Sequence, residues 1–439
     1  EAVGSVRRNG RPFGLILHTN RFSAHSKGDD TRSAAEIARI KEKDPLLIHG
    51  SRLSDTERAR AESEVAAIIE DAFLRASADP FPVLSVERQT LQVGRSTLDV
   101  RLWTFDAMTS VLECLNSALH HAMESDERVY VLGEDILDPY GGAFKVTRGL
   151  SAKFPERVLT TPISEAAILG VASGMALRGL RPVVEIMFGD FVTLAADQIV
   201  NHAAKFRWMY NDQVRVPIVI RTPMGGRRGY GPTHSQSLEK MFLGVPGLRV
   251  VAPNALGDPG QLLANAIADD DPVLFIEHKL LYTRQLLEPA KGDLIDMQVE
   301  TIGQPYPCFV LRVPSGTSQL TIATYGYNFE LVRQAALELL MEREIFCEIV
   351  LFSQLSPFDI APLLDSLHRT RRLLTVEEGG LTLGWGAEIL ARLAESGVHA
   401  NMRRVAALDL PIANSKPLED AILPSVEMIV NAALALHGT

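Results

Sequence analysis

Strand-like and helix-like segments alternate from about residue 103 to residue 290 and again from 318 to 439, which predicts an α/β protein. Two further observations refine this. The strand segments read as near-continuous apolar runs, for example Arg128-Val-Tyr-Val-Leu-Gly133 and Gln319-Leu-Thr-Ile-Ala-Thr-Tyr325, the pattern of parallel strands buried on both faces. The helix segments between them are long enough for crossovers, so each half reads as a parallel sheet covered on both sides, the second smaller than the first. Ligands of such sheets bind beyond the carboxyl ends of the strands.

Taken in order, residues 1 to about 50 are polar, with one dense cluster from Arg21 to Arg32 that contains His25, Ser26, Asp29 and Asp30. Ser and Asp side chains bond nearby amides readily, and a solvated surface loop has the same composition. Ser54 to Ala76 reads as a helix, with Ser54 as N-cap, Glu57 as capping-box partner, and Val65, Ile68, Ile69, Phe73 and Leu74 on one face. Residues 83–102 read as a linker after Pro80 and Pro82. A helix carrying Ala107, Val111, Leu115, Leu119, Ala122 and Met123 leads into the first strand, which ends in Gly133, Glu134 and Asp135. The pattern then gives helix 165–178, strand 182–187, helix 192–209, strands 216–222 and 248–252, helix 257–268 and strand 273–277. Residues 285–317 are rich in Pro, Gly and polar residues and read as a connection, with a linker placed at 291–317. Beyond it come strand 319–325, helix 328–341, strands 346–351 and 371–376, and helix 384–395.

Two stretches invite chemistry. Thr160 to Gly170 sets one carboxylate, Glu165, where an extended segment enters a helix, and Ala166, Ala167, Gly170, Ser173 and Gly174 leave room for a close ligand or backbone. The helix dipole favours an ionised acid there, and an acid capping its own helix has the same signature. Pro223 to Gln236 holds four glycines and two prolines in fourteen residues, a long loop of the kind that is usually functional or mobile. His234 near its end is suited to proton transfer or to donating to an anion, and an exposed loop histidine reads the same way.

Composition excludes several classes. A formal charge of -10 without a dense basic stripe argues against nucleic acid as a partner. No uninterrupted apolar run approaches membrane-spanning length, so no membrane insertion is expected. The three cysteines are isolated, which indicates neither a disulfide framework nor a zinc knuckle and fits a reducing, cytoplasmic setting. The sequence lacks a Walker loop, a Gly-x-Gly-x-x-Gly helix entry, a His-Glu-x-x-His pair, and a Gly-Asp-Gly followed by Asn that could hold a diphosphate through magnesium.

Val131-Leu-Gly-Glu-Asp135, Gly141-Gly-Ala-Phe144, Thr161-Pro-Ile-Ser-Glu165, Gly179-Leu-Arg-Pro-Val183, Asp197-Gln-Ile-Val-Asn201, Thr233-His-Ser-Gln236, Pro246-Gly-Leu248, Glu377-Glu378 and Gly386-Ala-Glu388 occur in the order of a known family. From about Thr104 to Gly438 the chain resembles the β subunit of the thiamine-diphosphate-dependent 2-oxo acid dehydrogenases. The first eighty residues are similar to the end of the family's α subunit, through Arg21, His25-Ser26 and Asp29-Asp30. The resemblance implies an α–β fusion divided into an α-like segment 1–82, a transketolase-like pyrimidine-binding domain 103–290 and a transketolase C-terminal-like domain 318–439.

The resemblance also implies roles. Glu165 matches the glutamate that bonds the aminopyrimidine of thiamine diphosphate, Phe191 the aromatic that stacks on that ring, His234 a histidine beside the substrate, and His25 the α-loop histidine by the cofactor. Ile218, Ala266, Asp269 and Asp271 fall where some relatives bind potassium, largely through backbone carbonyls. Ser26 falls where mitochondrial relatives are phosphorylated. The implied reaction is oxidative decarboxylation of a 2-oxo acid with acyl transfer to lipoamide. Magnesium ligands are expected upstream, and the implied partners are a lipoyl acyltransferase and a second copy of the chain. A transketolase-like transferase and a non-catalytic assembly subunit are the competing expectations.

Overall fold

The computed structural model describes residues 22, 32–78, 110–287, 297–314 and 317–438. Two compact units divide the chain after Arg95. His25, Arg21, Ser26, Asp29 and Asp30, together with the 83–102 linker, lie outside the described residues.

In the first unit the described residues form the helices Ala34–Lys41, Pro45–Gly50 and Asp55–Ala78. The last begins where its capping box predicts: Ser54 N donates to Glu57 Oε2 at 3.0 Å, and Glu57 N donates to Ser54 Oγ at 3.3 Å. Its apolar stripe, Val65, Ile68, Ile69, Phe73 and Leu74, is more than half exposed along its length.

The second unit contains two sheets. Strands β1 (Val129–Gly133), β2 (Val158–Thr160), β3 (Arg181–Glu185), β4 (Val219–Met224), β5 (Arg249–Val251) and β6 (Val273–His278) are parallel in the order β5-β6-β4-β3-β1-β2. The second sheet is built from β7 (Gln298–Ile302), β8 (Cys308–Arg312), β9 (Leu320–Tyr325), β10 (Cys347–Phe352), β12 (Arg372–Gly380) and β13 (Asn401–Ala407), in the order β13-β12-β9-β10-β8-β7. The short β11 (Gln354–Ser356) leaves the second half of the chain and pairs antiparallel with β5, extending the first sheet. Strands β3, β4, β9 and β10 are buried along nearly their whole length, which is why they read as unbroken apolar runs. Helix Val111–Ser125 follows its predicted face: Val111, Leu115, Leu119, Ala122 and Met123 are buried beneath a Ser110–Glu113 capping box.

Three segments differ from expectation. The helix expected at 192–209 is a 3-10 turn, Gly189–Ala195, a π segment, Gln198–Ala203, and an α-helix, Ala204–Met209. Thr193 Oγ1 donates to Asp190 O at 2.8 Å, one of the local bonds that competes with a regular helix start. Residues read as part of a connection at 298–312 form the antiparallel hairpin β7–β8 at the edge of the second sheet, because the apolar run Cys308–Leu311 outweighs the flanking prolines. The stretch Lys416–His437 is apolar and long enough to cross a membrane by composition. It folds as two helices, Lys416–Ile422 and Val426–His437, and buries Ile429, Val430, Ala433 and Leu436 in the core.

Candidate active site

The carboxyl ends of β1, β3, β4 and β6 lie side by side in the first sheet and carry the polar residues that the core cannot explain. Past β1 stands Glu134, and past β2 the chain turns into the helix Glu165–Leu177, with Glu165 as its first residue. Beyond β3 come Phe188, Asp190 and Phe191, beyond β4 the long loop, and beyond β6 Lys279.

Glu134 and Glu165 are 7% and 5% exposed and close enough to repel. Burial first, and then the charge of Glu165, push the Glu134 carboxyl up to about 7, with a Ser164 N–H pulling against them. Glu134 Oε1 has no hydrogen-bond partner among the described residues. A buried carboxylate pair with an unbonded oxygen is costly unless it awaits a donor. An amino-substituted ring nitrogen system supplies such donors, so the residues present fit an aminopyrimidine.

An aromatic cluster lies beside it. His234 meets Phe188 edge-on at 4.8 Å between ring centroids and Phe191 at 5.1 Å. Phe188 also contacts Phe144 at 5.7 Å and Tyr230 at 6.0 Å. The structure thus brings two of the sequence-predicted residues, Phe191 and His234, together. Thr233 Oγ1 is 3.0 Å from His234 Nδ1, a contact that fixes the ring's orientation. Below Phe188 the Lys279 ammonium lies 5.4 Å from the ring centroid. It is fully buried, and its Nζ has no hydrogen-bond partner among the described residues. Burial lowers its pKa to about 8, against the opposing charges of Asp190 and Glu378.

The loop is held at both ends. Gln236 donates from N and Nε2 to Asp190 Oδ1 at 3.3 and 2.8 Å. At the other end Gly226 N donates to Glu378 Oε1 at 2.7 Å and Arg227 N to Glu419 Oε1 at 2.7 Å. Gly225 permits this path: its φ is +90°, and a Cβ there would lie 2.1 Å from His278 Nε2. Beneath the site Arg221 bonds Glu277 through Nε and Nη2, both at 2.7 Å, and Glu185 through Nη1 at 2.9 Å, with all three side chains buried. Tyr282 OH donates to Glu277 Oε2 at 2.5 Å and closes this network.

The residues read as a cation site lie elsewhere. Ile218 O accepts from Val273 N at 2.9 Å, Ala266 O from Asp269 N at 3.3 Å, and Asp269 O from Arg181 Nη1 at 2.9 Å. The Asp269 carboxylate pairs with Arg249 Nε at 2.8 Å, and that of Asp271 with Arg207 at 2.7 Å and Arg249 at 3.2 Å. Both carboxylates are therefore committed to arginines, and the carbonyls keep only a second lone pair for a cation. Among the described residues no group of three or more His, Cys, Asp or Glu side chains is arranged to hold a metal.

Sequence reasoning marked Glu165, Phe191 and His234 and passed over Glu134, Phe188, Asp190 and Lys279 as site residues. The signal for Glu134 and Lys279 was their place directly after an apolar strand run. Phe188 and Asp190 offered no signal before the loop was seen to fold against them.

Residues 108–285 match the transketolase pyrimidine binding domain and residues 311–429 the transketolase C-terminal domain. Among curated relatives, the mitochondrial pyruvate dehydrogenase E1 component subunit beta-1 of Arabidopsis thaliana is 38% identical over 330 residues, 74% of this chain and 88% of the relative. The pyruvate dehydrogenase E1 component subunit beta of Rickettsia bellii is 36% identical over 327 residues, 74% of this chain and 97% of the relative. Among solved structures, a split gene transketolase described as an inactive beta4 tetramer is similar with a TM-score of 0.59 at 20% identity, covering 75% of this chain and 98% of that one. A transketolase from Leishmania mexicana is similar with a TM-score of 0.54 at 17% identity, covering 77% of this chain and 47% of that one. These two share the fold.

Proposed function

The chain belongs to the β-subunit family of the pyruvate dehydrogenase E1 component, thiamine-diphosphate-dependent 2-oxo acid dehydrogenases, and on that footing we propose that residues 110–287 carry the aminopyrimidine half of the cofactor site. The observation that carries this reading is the buried pair Glu134–Glu165 with its unbonded oxygen at the carboxyl edge of the sheet. When bound, thiamine diphosphate supplies the carbon nucleophile and the electron sink for decarboxylating a 2-oxo acid.

The protein's own residues do the rest. Glu165, the first residue of its helix, would bond the aminopyrimidine ring and favour the tautomer the chemistry needs. Glu134, poised near neutrality, holds or yields a proton at its own carboxyl. Phe191 offers a ring face to the cofactor, and His234, held by Thr233 and wedged between Phe188 and Phe191, stands where it donates to the substrate or to the acyl group as it leaves. Pyruvate, the substrate named for the relatives, is the first acid to test, and branched-chain acids are the next. Lipoamide on an acyltransferase is the proposed acceptor.

The diphosphate and magnesium fall to an α portion, because the sequence holds no Gly-Asp-Gly and Asn pair for them. Assembly with further subunits follows from the family, and we propose two copies of each half, giving two sites. Ile163 and Val171, 84% and 57% exposed around Glu165, provide apolar surface for such a contact. Potassium, if held, uses the carbonyls of Ile218, Ala266 and Asp269 and leaves the Asp271 carboxylate to its arginines.

Calorimetric titration of thiamine diphosphate with magnesium into this chain, and into the chain joined to an α portion, tests the half-site. Tight binding only on joining supports it, and tight binding by this chain without the α portion overturns it. A panel of 2-oxo acids on the joined enzyme with dye reduction then names the substrate. Glu165→Ala should abolish that turnover, and an enzyme indifferent to it would exclude the proposed site.

A further inference from the structure

The loop that bears His234 is fastened by carboxylates from the other half of the unit. Glu378, on β12, accepts from Gly226 N at 2.7 Å, from Arg227 Nε at 3.3 Å and from His278 Nε2 at 3.3 Å. Glu419, on the helix Lys416–Ile422, accepts from Arg227 N at 2.7 Å and from Gly229 N at 3.2 Å. Arg227 Nη2 donates to Pro424 O at 2.5 Å. Glu378 and Glu419 are 4% and 1% exposed.

Two features show that these bonds define the loop's path. Arg227 stands at φ +71°, a conformation that an L side chain adopts only when its surroundings impose it. Gly226 sits so close that an added Cβ would lie 2.6 Å from Leu423 Cδ1 and 3.1 Å from Glu419 Oε1. Burial on its own would raise the Glu378 carboxyl, but His278, Arg227 and the Gly226 N–H hold it down to about 2, so the acceptor stays ionised at any working pH. Burial pulls the His278 imidazole below its usual range, against the charge and hydrogen bond of Glu378. From the clamp the chain runs five residues to His234, and Gln236 on Asp190 fixes the far side.

We propose that Glu378 and Glu419 are positioning residues for the reaction, acting through the backbone of residues 226–229 to hold His234 against Phe188 and Phe191. This rests on the reading that His234 serves the 2-oxo acid chemistry. The contacts of the two carboxylates are with the loop and with His278. Their contribution is the fixed placement of a group whose displacement by about 1 Å can cost ~100-fold in rate.

The test uses Glu419→Gln, which is isosteric, in the enzyme assembled with its α portion. Hydrogen exchange of the peptide covering residues 225–236 should speed up about tenfold or more, because the glutamine keeps one uncharged oxygen for one of the Arg227 and Gly229 amides and turns an NH2 donor toward the other, while the peptide containing Glu165 is unchanged. The kcat should fall between ~10-fold and ~100-fold, with KM for the 2-oxo acid and cofactor affinity within about twofold. In a His234→Ala background the same substitution should cost less than about twofold more, because a residue acting only through His234 has nothing left to position. An unaltered exchange rate overturns the proposal, as does an equal loss of kcat with and without His234. Glu378→Gln reads the same loop from Gly226 if Glu419→Gln does not assemble. A wild-type enzyme inactive on every 2-oxo acid would sink the functional reading instead, and the exchange measurement would still decide whether the carboxylates hold the loop.

Discussion

Glu185 and Glu277 share the Arg221 guanidinium at 2.7 to 2.9 Å, whereas Glu134 stands beside Glu165 with an oxygen that has no hydrogen-bond partner among the described residues. All four carboxylates are at least nine-tenths buried at the carboxyl ends of neighbouring strands or just beyond them. Burial raises the cost of every one of them, and the difference lies in what the fold supplies in return. Under the site it supplies a full set of donors, so that group is scaffold. At the site it supplies a second carboxylate, so that pair is incomplete until something binds. A fold that can satisfy three buried charges within one network, and leaves an oxygen of the adjacent pair bare, marks where its ligand belongs.

The largest expected effect breaks the satisfied side. Arg221→Met leaves Glu185 and Glu277 buried without a counter-charge, and removal of one partner of such a pair costs about 3–5 kcal/mol. Urea unfolding of the second unit should shift by that amount at pH 7. A loss below about 1 kcal/mol would mean that the two acids take up protons or water easily, and the contrast with Glu134 would dissolve.

The next prediction sharpens the unsatisfied side, with the opposite sign. Glu134 titrates near 7 in the folded protein and near 4.5 when unfolded. Between those values the folded state holds a proton that the unfolded state has released, so stability falls as pH rises from about 4.5 to above 7. Glu134→Gln removes that slope. Relative to the wild type it should be unchanged at pH 4 and more stable by up to ~3 kcal/mol at pH 8, at 1.36 kcal/mol per unit of pKa. Melting curves of both proteins across this range check it, and parallel curves would show that neither burial nor Glu165 raises the Glu134 carboxyl.

Which of these groups could be read from the sequence follows from how local their cause is. Glu165 announces itself because its neighbours along the chain, a turn and a small-residue helix, are also its neighbours in space. Strands β1, β3, β4, β5, β6, β9, β10 and β12 were legible for the same reason, since burial on two faces leaves a run of apolar residues, whereas β2, β11 and β13, short or half-exposed, were not read as strands. The hairpin β7–β8 was hidden because its pairing, and not its composition, makes it a sheet edge. Glu378 and Glu419 were opaque as loop anchors: their partners at Gly226 and Arg227 lie about 150 and 190 residues away. Lys279 carried only its place after a strand, where a charged residue is ordinary until its burial is known, and Asp190, further beyond β3, carried no mark at all. His25 lies outside the described residues, and its role is only what the sequence resemblance implies.

Asp190 falls between the two regions compared above, and the smallest predicted effect belongs to it. Its Oδ1 takes both Gln236 donors, while its Oδ2 has no hydrogen-bond partner among the described residues. Asp190 is the largest influence keeping the buried Lys279 ammonium from losing its proton more easily still. Asp190→Asn preserves the Oδ1 acceptor and removes the charge, so stability should change by no more than about 1 kcal/mol. The Lys279 titration, however, should move further below about 8, by roughly one unit. Because folding depresses this lysine's pKa, the unfolded chain binds its proton more tightly, and stability rises with pH from about 8 to 10.5. In the variant that rise should begin at lower pH. Carbon-13 labelling of lysine and an NMR titration of Cε measure it directly. An unmoved Lys279 would show that Asp190 does not act on it, and the buried ammonium under Phe188 would then owe its charge to Glu378.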